Sequence, residues 1–180
     1  YLVQLDEYVS SGDIFTEYAY FSSFSDSWVE HARRYSEQMT DTLGLDNNSL
    51  VMEIASNDGY LLQHFVANDI PVVGIEPAAN VAEAAREKGV RTEVEFLGEN
   101  TARTIVQKYG HADLVLGNNV LAHVPDINDF VEGMRILLKP GGVITMEFPH
   151  LKNLMELNQF DTIYHEHFSY LSWYAVEQVF

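Results

Sequence analysis

Between residues 50 and 148, short apolar runs alternate with stretches of helical periodicity, and that alternation restricts the chain to a parallel sheet built from βαβ units. The expected strands are residues 50–54, 72–76, 92–94, 113–117 and 143–148. Helices are expected at 60–67, 80–88, 101–109 and 127–138, with Gly89 and the Lys139-Pro140-Gly141-Gly142 turn as stops between helix and strand. The fold class is therefore α/β, with helices on both faces of the sheet.

The flanks read differently. Residues 1–24 are rich in Tyr, Phe and Ser without a clean period, which suggests an aromatic arm packed over another element. Ser25, Asp26 and Ser27 can cap a helix whose Trp28, Ala32, Tyr35, Met39 and Leu43 share one face, and Gly44 supplies its stop. After Phe148 the chain turns aromatic and histidine-rich, then enters a second amphipathic helix through Tyr174, Val176, Val179 and Phe180. The organisation expected is an arm and helix covering a cleft (1–45), a central ligand-binding domain (46–150) and the start of a substrate-side segment (151–180).

Bulk properties exclude several functions. A chain of 180 residues, 47% of them hydrophobic, can bury one good core. Its net charge of −17 argues against a nucleic-acid groove, because phosphate binding uses Lys and Arg to replace counterions. With no cysteine there are no disulfides or thiolate metal sites, and no apolar run is long enough for a bilayer span or a signal peptide. The expectation is a soluble cytoplasmic protein, with no nucleic-acid or membrane partner and an oligomeric state that the sequence leaves open.

The first strand ends in Glu53-Ile54-Ala55-Ser56-Asn57-Asp58-Gly59, a turn at the carboxyl edge of a parallel sheet, where doubly wound folds hold ligands. Small residues let the backbone approach a ligand, and Gly59 can adopt positive φ. Glu76 closes the second strand about 20 residues further on, where an acid can accept hydrogen bonds from both ribose hydroxyls. The loop lacks the G-x-G-x-x-G spacing that seats a pyrophosphate, so a cofactor without phosphate fits better. Asn118 and Asn119 follow the fourth strand at the same edge; they either contact the cofactor or satisfy loop backbone groups. Phe96 and Leu97 are either core or a wall beside a base.

Taken together, Glu53 to Gly59, Gly74-Ile75-Glu76-Pro77, the run from Asn118 to Pro125, and Leu137-Leu138-Lys139-Pro140-Gly141-Gly142 resemble the ordered motifs of class I S-adenosylmethionine-dependent methyltransferases. Tyr18-Ala19-Tyr20-Phe21-Ser22-Ser23, the loop running on through Tyr60-Leu61-Leu62, and the stretch from Phe160 to Ser172 narrow the likeness to the sugar C-methyltransferases of deoxysugar biosynthesis. The resemblance implies a Rossmann-like sheet and S-adenosylmethionine as cofactor, with Glu53, Ala55, Ser56, Asn57, Asp58, Gly59, Glu76, Pro77, Leu97, Asn118 and Asn119 around it. It implies a nucleotide-linked keto sugar as the small-molecule substrate. Family members carry a cysteine-rich zinc-binding segment before this domain and a further domain after it. The expectation is that this chain is a fragment lacking the final sheet strands and the C-terminal domain.

Carbon methylation needs a base, because an sp3 carbon has no lone pair with which to attack a sulfonium methyl. Beside a ketone, deprotonation gives an enolate, which calls for a base near neutral pKa and a donor for the oxyanion. The resemblance assigns His167 as base, Glu166 as the group that orients or polarises it, and Tyr164 as a neighbour of the reacting carbon or carbonyl. It adds His123 as a second polar group and Tyr20 as the residue closing the pocket. Read without the family, His165 and His167 could be a metal site or a surface pair, His123 a loop residue bonded to backbone, and Tyr18 and Tyr20 core aromatics. No metal is expected. The competing readings are an O- or N-methyltransferase of small molecules, and a module that binds S-adenosylmethionine or a nucleotide sugar without chemistry.

Overall fold

Val51, Met52, Glu53 and Ile54 are all buried, as a central strand covered on both faces requires. The computed structural model describes residues 2–4, 18–164 and 166–180. Its strands are β1 (Leu2–Gln4), β2 (Val51–Ile54), β3 (Val72–Ile75), β4 (Thr92–Glu93), β5 (Ala112–Asn118), β6 (Leu138–Glu147) and β7 (Ser169–Leu171). Its helices are α1 (Asp26–Leu43), α2 (Leu62–Val66), α3 (Ala79–Glu87), α4 (Glu99–Tyr109), α5 (Ile127–Leu137), α6 (Leu151–Glu156) and α7 (Trp173–Val179).

Five of the strands form a parallel sheet in the order β4-β3-β2-β5-β6. The chain runs outward from β2 to β4, then returns to β5 on the opposite side of β2. The order thus reverses between β2 and β5, and the crevice at their carboxyl ends is where such sheets bind ligands. Alternation along each strand splits the core in two. Met52, Val73 and Val115 pack on the face covered by α4 and α5, joined by Leu171 of β7 and by Ala175 and Val176 of α7. Val51, Val72, Leu114 and Leu116 pack on the other, against Ala32 of α1, Phe65 of α2 and Ala85 of α3.

Phe65 is fully buried in that second layer. Truncating it leaves a cavity that a short helix between two rigid elements cannot close. Phe65→Ala is expected to cost about 3–5 kcal/mol, read as a lower urea midpoint at unchanged slope.

Helix α1 starts where Ser25 accepts a hydrogen bond from the Trp28 N–H and ends at Gly44 with φ 63°. Its Trp28, Tyr35, Met39 and Leu43 pack on the second core layer beside Ala32, as the spacing predicts. Helix α4 begins two residues before its expected start, and α2 begins at Leu62 because Tyr60 belongs to the preceding turn. The Lys139 to Gly142 stretch, expected as a turn, is part of β6. Ala112 pairs with Leu138 and Leu114 with Val143, so the extra residues are taken up as an irregularity within the strand.

Beyond Phe148 the chain forms α6, a single 3-10 turn at Phe160–Thr162, and β7 antiparallel to β1. In α7, Ala175 and Val176 are buried, whereas Tyr174, expected on the apolar face, is 65% exposed. Most of the arm expected at 1–24 lies outside the described residues, as does His165. No helix among the described residues is long and apolar enough to cross a membrane.

Candidate active site

The loop leaving β2 is bent by three left-handed residues, Ala55 at φ 54°, Asn57 at 49° and Gly59 at 74°. Two non-glycine residues there store strain, which persists where the surroundings over-determine the backbone. Ala55 N–H donates to the Ile75 carbonyl at 2.8 Å, and Asn57 N–H donates to Glu76 Oε2 at 3.0 Å. Glu76 Oε1 accepts from Ala78 N–H at 2.9 Å. Two backbone donors thus fix the Glu76 carboxylate, and roughly two of its four lone-pair positions stay available to a ligand. Burial raises the Glu76 pKa, and the two backbone hydrogen bonds oppose that rise.

A cleft of about 610 Å³ opens along the carboxyl edge of the sheet. Its walls come from the ends of β2, β3 and β5 and from the stretch after β4. Ala55, Asn57, Glu76, Pro77, Leu97, Asn118 and Asn119 all line it, and so does Phe96. The other four expected cofactor residues do not, because alternate residues of the loop point into the protein. Gly59 presses against α3, where an added Cβ would lie 3.2 Å from Ala85 Cβ. Ser56 sits under Gly74, where a Cβ would lie 2.4 Å from Ser56 Oγ. Asp58 accepts from Lys88 Nζ at 2.8 Å and from the Ser23 hydroxyl.

Glu53 is wholly buried, and among the described residues neither carboxyl oxygen has a hydrogen-bond partner. Desolvation first, then the charges of Glu76 and Asp58, push its pKa far above the ordinary range. An acid whose folded pKa is raised favours folding below its unfolded pKa, and that advantage is lost as pH rises through the folded pKa. Glu53→Gln keeps the shape without the proton uptake. It should melt several degrees higher than the parent at pH 8, with the gap closing toward pH 5 in thermal unfolding.

At the other end of the cleft His167 is 6% exposed. Its Nδ1 lies 2.8 Å from the Thr162 carbonyl and its Nε2 2.8 Å from the Tyr164 hydroxyl. A carbonyl only accepts, so Nδ1 carries the proton and Nε2 presents its lone pair to the Tyr164 O–H. Burial lowers the His167 pKa, against the opposing effects of the Thr162 carbonyl and the Glu166 charge. Both ring nitrogens are engaged, so Glu166, which does not line the cleft, acts on His167 through its charge alone. His123 packs edge-on against His167 with ring centroids 4.6 Å apart. Burial and the His167 charge depress its pKa to about 4, so His123 is a neutral neighbour. Tyr20, 54% exposed, stands at the cleft opening.

Sequence reasoning did not assign Trp28, Tyr60, Ser22 or Thr162 to the site, yet all four line the cleft. Tyr60 stacks on Trp28 with centroids 6.1 Å apart. Its position next to Gly59 was the available signal. Trp28 was hidden by its place on an apolar helix face. Among the described residues no group of three His, Asp or Glu side chains is placed to hold a metal ion.

The sequence profile of the methyltransferase domain matches residues 52–144, the segment that builds the crevice. The chain belongs to the methyltransferase domain family. Across 172 residues the methyltransferase chain is 37% identical to C-methyltransferase NovU of Streptomyces niveus, over 96% of this chain and 41% of that protein. It is 31% identical to the ubiquinone biosynthesis O-methyltransferase of Chelativorans sp. (strain BNC1), over 52% of this chain and 38% of that protein. The chain thus spans about two fifths of the length of these relatives. Among solved structures, a SAM-dependent methyltransferase from Archaeoglobus fulgidus superposes with a TM-score of 0.63 at 13% identity, over 82% of this chain and 66% of that one. The fold is that of an S-adenosylmethionine-dependent methyltransferase.

Proposed function

We propose that this methyltransferase domain uses S-adenosylmethionine to methylate a carbon beside the keto group of a nucleoside-diphosphate sugar. The observation that carries the reading is His167, held in one tautomer with its basic nitrogen against the Tyr164 hydroxyl on the wall of the cleft that also contains Glu76. A relative named as a C-methyltransferase, similar along nearly the whole chain, supports it. Oxygen methylation, the activity in the name of the ubiquinone-pathway relative, would need no enolate.

S-adenosylmethionine, when bound, supplies an electrophilic methyl group on sulfur. Glu76 would hold the ribose hydroxyls, Leu97 and Phe96 would flank the adenine, and Asn118 would contact the methionine part. His167 Nε2 takes the proton from the carbon beside the carbonyl, and the C–H electron pair becomes the enolate. The Tyr164 hydroxyl turns from Nε2 to the enolate oxygen, which frees the base as it supplies the oxyanion donor. Bound S-adenosylmethionine would supply the methyl that the enolate carbon takes, leaving as S-adenosylhomocysteine, and His167 then returns its proton to water. Among the described residues no lysine or arginine lines the cleft.

The test incubates the protein with methyl-labelled S-adenosylmethionine and nucleoside-diphosphate 4-keto sugars in D2O. A labelled methyl on ring carbon, with deuterium exchange at that carbon when the methyl donor is withheld, supports the reading. A label on oxygen or nitrogen without exchange rejects it in favour of a heteroatom methyltransferase.

A further inference from the structure

Tyr18, Tyr20 and Ser22 are alternate residues of the described arm, and all three line the cleft. Two carboxamides from different elements grip this segment by its backbone. Asn57, in the β2 loop, accepts from Ser22 N–H at 2.8 Å and donates to the Tyr20 carbonyl at 3.1 Å. Asn80, in the first turn of α3, accepts from Tyr18 N–H at 3.2 Å and donates to the Tyr18 carbonyl at 2.8 Å. Each carboxamide pairs both donor and acceptor, much as a neighbouring strand would. Asn57 is also tied to Glu76 through its own N–H. Asn80 is exposed and does not line the cleft.

We infer that Asn80 is a positioning residue for the acceptor substrate, clamping Tyr18 so that Tyr18 and Tyr20 form a fixed wall of the cleft. The two rings meet edge to face, with centroids 6.4 Å apart, so orienting one constrains the other. Tyr18 lies within electrostatic range of Glu76 and of Tyr164, both on the cleft wall, and of Glu166. It stands where methyl donor and acceptor have to meet. Because the grip is on backbone, removing it changes the position of the rings without changing their chemistry. Misplacement of a wall that aligns reactants weakens productive binding of the acceptor more than binding of the donor, whose ribose anchor Glu76 has its own backbone supports.

The role in substrate positioning rests on the sugar-methylation reading, whereas the clamp itself does not. Asn80→Ala should raise KM for the nucleotide keto sugar about tenfold, the scale of two net hydrogen bonds. The calorimetric Kd for S-adenosylmethionine should stay within about twofold and the melting temperature should be unchanged, since the position is exposed. Amide exchange of residues 18–22 should quicken about tenfold. Asn80→Asp, which keeps the acceptor and loses the donor, should fall between parent and Asn80→Ala on both readouts. Unchanged exchange at 18–22 overturns the clamp, and faster exchange with unchanged KM overturns the positioning role. If the parent protein methylates no keto sugar, the proposed reaction fails, and exchange measured with S-adenosylhomocysteine present still decides the clamp.

Discussion

Replacing His167 with alanine is expected to lower methyl transfer by about 10²–10⁴, the usual contribution of a positioned base. Deuterium exchange at the acceptor carbon should disappear with it. The change leaves the β2 loop and Glu76 intact, so calorimetric affinity for S-adenosylmethionine should not change. The pH profile supplies a second readout. Desolvation lowers the His167 pKa, so the base stays neutral to lower pH than an ordinary imidazole. The acid limb of kcat/KM should therefore fall below the unperturbed value of about 6.5, because only neutral His167 accepts a proton. Removing the Glu166 charge, which favours the protonated ring, should move that limb lower still. Turnover retained in His167→Ala would assign proton removal elsewhere.

The second large effect concerns Glu76. Its carboxylate ties down Asn57 N–H and Ala78 N–H, and under the proposed reading it also accepts from the ribose hydroxyls. Losing two hydrogen bonds to a charged group, at about 1.5 kcal/mol or more each, should weaken S-adenosylmethionine binding by about 100-fold. Glu76→Ala also leaves two backbone donors unpaired, so some stability is lost with the affinity. Glu76→Gln separates the two. It retains one acceptor for the backbone and should melt between Glu76→Ala and the parent, yet it should bind the cofactor at least tenfold more weakly than the parent. The thermal shift produced by saturating S-adenosylmethionine in the parent should shrink in both variants. Equal affinity for parent and Glu76→Gln would place the ribose away from this carboxylate.

How far the sequence can be read depends on whether a signal is local. The β2 loop and Glu76 were legible because two βα turns in tandem bring their ends to one sheet edge in any right-handed parallel arrangement. The faces of Trp28, Ala32, Tyr35, Met39 and Leu43 were legible from helical spacing alone. Four features were not. The inward side of the β2 loop, with Glu53, Ser56 and Asp58 turned from the cleft, depends on left-handed φ at Ala55 and Asn57, which neither residue type announces. The irregular start of β6 was hidden because Pro140 and the two glycines read as a turn whether or not the flanking backbone pairs with β5. The carboxamide grip of Asn57 and Asn80 on the arm joins residues 35 to 62 positions apart, a contact that only packing brings about. The tautomer of His167 likewise rests on the Thr162 carbonyl, a backbone group with no imprint in side-chain pattern.

The central claim is that one cleft holds the methyl donor at Glu76 and the base at His167. A crystal structure with S-adenosylhomocysteine tests it most directly. Both ribose hydroxyls should lie within hydrogen-bond distance of the Glu76 carboxylate, with the adenine beside Phe96 and Leu97 and the sulfur facing His167 and Tyr164. An adenosyl group bound away from Glu76, or a sulfur pointing away from His167, would contradict it.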